Sequence, residues 1–130
     1  MLERAQKTVL VVEDDAGLRA VIADCLELDD YAVIQASNGD EAMHLARLNP
    51  PDVILLDLAM PHRSGLQVLQ ALKGAAPTRD IPVVIVSGYA LVLMDNRTPR
   101  VDGVIQKPFD VDVLLAQVKR ASAGRAISGR

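Results

Sequence analysis

One short stretch restricts the fold more than any other: Pro51-Asp52-Val53-Ile54-Leu55-Leu56-Asp57-Leu58-Ala59-Met60-Pro61, an apolar run with proline at each end and a carboxylate at its downstream tip. Residues 53–56 are too few for an ordinary helix and too uniformly apolar for a strand with one wet face. They read as a strand buried on both sides, the mark of a central strand in a parallel sheet. An ionised carboxylate inside such a strand would be very costly. Asp57 is therefore expected where the strand leaves the sheet, at the carboxyl edge where open α/β sheets bind ligands.

The flanking sequence repeats this pattern. Residues 8–12 form a second apolar, β-branched run that ends directly in Glu13-Asp14-Asp15. Leu18, Val21, Ile22, Cys25 and Leu26 then follow at helical spacing over 16–28. Residues 31–36 read as a strand, Ser37-Asn38-Gly39 as a turn, and the helix carrying Ala42, Met43, Leu45, Ala46 and Leu48 is stopped by Asn49-Pro50-Pro51. Beyond the central strand, 60–65 is expected as a loop, and Leu66, Val68, Leu69 and Leu72 mark a third helix ending near Gly74. Residues 81–86 and 101–106 are two further strands, ending at Ser87-Gly88 and Lys107-Pro108. Between them, Asp95-Asn96 and Thr98-Pro99 limit any helix to two turns or fewer. A last helix starts at Asp110 or a neighbour and carries Val113, Leu114, Ala116, Gln117 and Val118. The domain is expected over 7–120, with flexible tails at 1–6 and 121–130.

Strands alternating with helices over 130 residues, half of them apolar, imply a single domain built from right-handed βαβ crossovers. The expected architecture is α/β: a three-layer, doubly wound, five-stranded parallel sheet in the flavodoxin-like order 2-1-3-4-5. A formal charge of −3, spread along the chain, gives no footprint for direct nucleic-acid binding. No apolar run approaches the ~20 residues of a membrane helix, and no signal-peptide pattern opens the chain. The single cysteine, Cys25, excludes an internal disulfide and fits the reducing cytoplasm; its apolar neighbours make it a packed thiol.

In a parallel sheet all strand ends of one sense share an edge. Glu13 and Asp14, then Asp57, Ser87 and Lys107, each close a different strand, so residues remote in sequence are expected to meet there. Three carboxylates in close proximity repel and require a counter-charge. All-oxygen ligation with room for water suits Mg²⁺, while Lys107 supplies a fixed cation and Ser87 a hydroxyl. This set surrounds an anion that can form on Asp57, and a carboxylate attacking phosphorus gives an acyl phosphate. Taken singly, each residue has a plainer reading: Asp14 or Asp15 as a helix N-cap, Asp57 and Ser87-Gly88 as turns, Lys107 as a solvated lysine. Their joint appearance at the ends of four strands argues for chemistry.

At this point the chain resembles the receiver domain of two-component response regulators. The resemblance rests on Val11-Val12-Glu13-Asp14-Asp15, Leu55-Leu56-Asp57-Leu58-Ala59-Met60-Pro61 with Gly65, Val86-Ser87-Gly88 and Lys107-Pro108-Phe109, and runs from about residue 7 to 120. The Ser87-Gly88-Tyr89 and Gln106-Lys107-Pro108-Phe109 versions look most like receivers beside or within hybrid sensor kinases, or stand-alone receivers. The resemblance implies that Asp57 takes a phosphoryl group from a histidine kinase or a histidine phosphotransfer domain. Asp14 would bind Mg²⁺ directly and Glu13 mostly through water, with Asp57 and the Ala59 carbonyl completing the protein ligands. Ser87 and Lys107 would hold the phosphoryl oxygens. Phosphorylation would draw Ser87 toward Asp57 and reshape the face made by the fourth helix, fifth strand and last helix, where a downstream protein would bind. The domain would be a switch that slowly hydrolyses its own phosphate, at a rate tuned by the side chains at 59 and 89, rather than a metabolic enzyme.

Two departures stand out. Val104 occupies a position where the family usually has an aromatic reporter of the switch, which leaves Tyr89 to carry part of the signal. The segment 88–106 is also shorter than the family leads one to expect and is interrupted by Pro99, so 89–100 is expected to be short, irregular or mobile. Leu91-Val92-Leu93-Met94 is expected as core under that segment, and His62 and Arg63 as solvated loop residues. A phosphatase with an aspartyl nucleophile would need a second acid two residues on, where Ala59 stands. A pseudo-receiver acting only through contacts usually lacks part of the acid, hydroxyl and lysine set that this chain has in full.

Overall fold

The computed structural model describes residues 6–60, 64–88 and 98–128, with side chains through 123. His62, Arg63, Tyr89 and the run 91–94 lie outside the described residues, as does most of the segment 89–100; residues 98–100 are non-helical.

Five strands, β1 (Thr8–Val12), β2 (Ala32–Ala36), β3 (Val53–Leu56), β4 (Val83–Ser87) and β5 (Gly103–Gln106), form one parallel sheet in the order β2-β1-β3-β4-β5. Among the described residues the helices are α1 (Ala16–Leu28), α2 (Gly39–Leu48), α3 (Gly65–Gly74) and α4 (Val111–Ser128). The strand order is the one expected from the βαβ alternation.

Side chains alternate across a strand, and this alternation builds two cores. Leu10, Val12, Ile54, Leu56, Val83 and Ile85 point to the side covered by Ala42, Met43 and Ala46 of α2 and Val68, Leu69 and Leu72 of α3. Val9, Val11, Val53, Leu55, Val84, Val86 and Ile105 point to the other side, against Ile22 and Leu26 of α1 and Leu114 and Val118 of α4. Every residue of β3 is buried, so the run at 53–56 is apolar throughout because it serves both cores.

Two acids tie strand starts together at the amino edge. Asp52 Oδ2 accepts from Thr8 N–H at 2.7 Å while Asp52 N–H donates to the Thr8 carbonyl at 2.8 Å. Asp102 repeats the arrangement with Val83, both contacts at 2.8 Å. These paired bonds occupy strand-end groups that the ladder leaves open. Asp102→Ala is expected to lower the unfolding free energy by about 1–2 kcal/mol, since hydrogen bonds to charged groups are worth more than neutral ones. Chemical denaturation reads this directly, and a variant as stable as wild type would contradict it.

Three sequence boundaries move. β5 begins at Gly103 rather than 101, because Asp102 bonds Val83 through its N–H and Oδ2 ahead of the ladder. β4 begins at Val83 rather than 81, because Ile81 N–H closes a turn onto the Thr78 carbonyl and Pro82 has no N–H to give. The flexible tail expected from 121 is instead helical to Ser128. Ala121 and Ser122 are buried, and Lys7 Nζ donates to the Ser122 carbonyl at 2.8 Å. Alanine is the best intrinsic helix former, so a stretch that lacks an apolar stripe continues the helix.

Candidate phosphoacceptor and metal pocket

β1 and β3 are neighbours in the sheet, with Val12 paired to Leu56, so the residues after them emerge side by side. Asp57 N–H donates to the Val12 carbonyl at 3.1 Å, which fixes the acid just past the strand end. Oxygens of Glu13, Asp14 and Asp57 lie within 4.8 Å of one another. Glu13 and Asp57 are buried, whereas Asp14 is exposed. Asp15 is the N-cap of α1, its Oδ1 accepting from Leu18 N–H at 3.1 Å. The capping role thus falls to Asp15, and Asp14 joins the acid cluster.

From β5's end, Lys107 reaches across two strands. Its Nζ lies 2.8 Å from Glu13 Oε1 and 3.3 Å from Asp57 Oδ2. Desolvation pushes this ammonium's pKa down, but the hydrogen bond to Glu13 and the charges of Asp57 and Glu13 outweigh it, leaving the pKa raised. The Asp14 carboxyl is also raised, by its partial burial and then by its hydrogen bond with Glu13 and Glu13's charge. The second Asp57 oxygen, Oδ1, accepts from Ala59 N–H at 3.0 Å. Ser87 closes β4 next to β3, is fully buried, and its carbonyl accepts from Lys107 N–H at 3.2 Å.

The predicted convergence therefore includes Glu13, Asp14, Asp57 and Lys107 in direct proximity, with Ala59 bonded to the central acid and Ser87 on the adjoining strand. The donor set suits a small hard cation: carboxylate oxygens from three residues, one of them exposed, beside a single bridging lysine. Sequence reasoning missed Arg19, whose Nη1 donates to the Glu13 carbonyl at 2.7 Å. A cationic side chain in the first turn of a helix carries no motif that would have marked it.

Gly65 opens α3 directly beneath the pocket loop. Its N–H donates to the Leu58 carbonyl at 2.9 Å, and a Cβ there would overlap the Asp57 carbonyl oxygen and the Leu58 Cα. The helix is held by a capping box between Ser64 and Gln67.

A doubly wound parallel sheet with an acid pocket at its carboxyl edge is the class of protein that the fold and site define. The family model for the response regulator receiver domain matches residues 9–119. The chain is 35% identical over 115 residues to the polar-differentiation response regulator DivK of Brucella anthropi, covering 87% of this chain and 94% of that one. It is 36% identical over 115 residues to the phosphate regulon transcriptional regulatory protein PhoB of Klebsiella pneumoniae, covering 87% of this chain and 50% of that protein. Among solved structures, the receiver domain of a signal transduction histidine kinase from Syntrophus aciditrophicus aligns with a TM-score of 0.79 at 31% identity, over 91% of each chain. A CheY-like receiver domain protein from Methanospirillum hungatei aligns at 0.84 and 23% identity, over 95% of this chain and 99% of that one, and matches the fold. This chain belongs to the response regulator receiver domain family of two-component signalling.

Proposed function

We propose that Asp57 is the phosphoacceptor of a two-component switch, receiving its phosphoryl group from a histidine kinase or a histidine phosphotransfer domain. The observation that carries this reading is the position of Lys107, whose ammonium touches both Glu13 and Asp57 within a cluster of three carboxylates. Glu13, Asp14, Asp57 and the Ala59 carbonyl would hold Mg²⁺. Bound there, the metal would supply positive charge to offset the negative charge developing on the transferred phosphoryl group.

The chain's own groups do the rest. An Asp57 oxygen forms the new O–P bond as the N–P bond of the donor phosphohistidine breaks, and the imidazole leaves with the electron pair. The Ala59 N–H orients the acid through Oδ1. Lys107 turns from Asp57 Oδ2 to a phosphoryl oxygen, and the Ser87 hydroxyl donates to another. Movement of Ser87 and Lys107, which close β4 and β5, passes the change to the β5–α4 face, where a downstream protein binds. Slow hydrolysis of the acyl phosphate resets the switch. The protein works in the cytoplasm, without direct contact to nucleic acid or membrane; no helix among the described residues is long and apolar enough to cross a bilayer.

Incubation with Mg²⁺ and acetyl phosphate tests the reading. The expected product is an acid-stable, base-labile adduct of one phosphoryl group, mapped to Asp57 and missing from Asp57→Ala. Wild type that stays unmodified, or an equal yield in the variant, would remove the phosphoacceptor assignment.

A further inference from the structure

We infer that Arg19 is a positioning residue for the acid pocket: it fixes the Glu13–Asp14 peptide plane and thereby the direction from which Asp14 presents its carboxylate to a divalent cation. The inference rests on the metal-site reading above and assigns a determinant of that site's affinity outside its ligands.

Every polar atom of Glu13 is engaged. Its N–H donates to the Ala36 carbonyl at 3.1 Å, Oε1 accepts from Lys107 at 2.8 Å, and Oε2 accepts weakly from Asp15 N–H at 3.4 Å. Its carbonyl accepts from Arg19 Nη1 at 2.7 Å, a short charge-assisted bond. The guanidinium is itself held at a second point, because Nε donates to Gln35 Oε1 of β2 at 3.2 Å. Its backbone is anchored too, Arg19 N–H bonding the Asp15 carbonyl at 2.9 Å in the first turn of α1. Arg19 thus spans from α1 across the pocket loop to β2.

The peptide group is planar. Fixing the Glu13 carbonyl also fixes the Asp14 nitrogen and Cα, the atom from which the Asp14 side chain departs. Asp14 is exposed, so packing does little to aim it, and its direction is set by the backbone together with its hydrogen bond to Glu13. Lysine could reach the carbonyl but lacks the planar fork that binds Glu13 and Gln35 together.

Two opposed effects make the inference decidable by sign. As a mere nearby charge, Arg19 disfavours cation binding, so its removal would tighten Mg²⁺ affinity. As a positioning group it supports binding, and its loss should weaken affinity by roughly tenfold, the low end for removing an outer partner of a metal site. Calorimetric Mg²⁺ titration of wild type, Arg19→Met, Arg19→Lys and Gln35→Ala provides the reading. Hydrogen exchange of the Asp14 and Asp15 amides in metal-free protein accompanies it. The expected result is weaker binding in Arg19→Met, a smaller loss in Arg19→Lys and in Gln35→Ala, and faster exchange at both amides. Unchanged or tighter binding in Arg19→Met overturns the inference, as does a lowered melting temperature with unchanged affinity. Should Arg19→Met fail to fold, unchanged affinity in Gln35→Ala overturns it equally. Wild type that binds no Mg²⁺ removes the metal site itself, an outcome distinct from failure of the Arg19 assignment.

Discussion

Gly65→Ala is expected to destabilise the domain by about 3 kcal/mol or more, the upper end of overpacking costs. Intrinsic helix propensity argues the other way, since alanine in place of glycine inside a helix gains up to about 1 kcal/mol. The space around Gly65 decides between them. An added Cβ meets the Asp57 carbonyl oxygen and the Leu58 Cα, both backbone atoms, so no rotamer change relieves the overlap. The reason is space rather than dihedral freedom, because no glycine among the described residues has positive φ. To admit the methyl group, α3 must retreat from the loop that bears Asp57, and the 2.9 Å bond from Gly65 N–H to Leu58 must lengthen. Urea unfolding should show a lower midpoint, and the acyl phosphate proposed for Asp57 should form more slowly among the molecules that remain folded. A variant within about 0.5 kcal/mol of wild type, the range of an ordinary surface change, would show that the contact is not tight in solution.

Lys107→Met has the second large expected effect. The Glu13 and Asp57 side chains are only 4% and 5% exposed, and among the described residues Lys107 is the cation that touches both. Its removal leaves two buried carboxylates uncompensated, expected to cost about 3 kcal/mol, the low end for breaking a buried pair. Saturating Mg²⁺ should restore more stability to the variant than it adds to wild type, because a divalent cation replaces the missing charge. The pH dependence has a defined sign. Folding raises the Lys107 pKa, so its contribution is complete below the ordinary lysine value of about 10.4 and is lost as pH climbs through the folded value. The wild-type and variant stability curves should therefore converge as pH rises on the alkaline side. Curves that stay parallel there, or equal gains from Mg²⁺, would assign the lysine a role other than charge compensation.

Much of this was legible in the sequence because burial and topology leave simple marks. A strand covered on both faces must be apolar at every position, which made β1, β3 and β4 plain at 8–12, 53–56 and 81–86. A parallel sheet sends all carboxyl ends one way, which brought Glu13, Asp14, Asp57 and Lys107 together before any coordinates did. What escaped were features without periodicity. Asp52 read as a polar residue ahead of its strand and Asp102 as part of the strand at 101–106, and only the register shows each closing two bonds across the sheet. Arg19 looks like any solvated helix residue until its reach to Glu13 and Gln35 is measured. The end of α4 was misjudged because a helix whose last turns are mostly alanine, serine, glycine and arginine resembles a tail in composition.

β3 has four residues and two cores to serve. Val53 and Leu55 are committed to one side, Ile54 and Leu56 to the other, and none is spare. The strand that delivers Asp57 can therefore change little without loosening the whole domain. Variation among proteins built this way has to be written in the loops and first helical turns around the pocket, at positions such as 19 and 59.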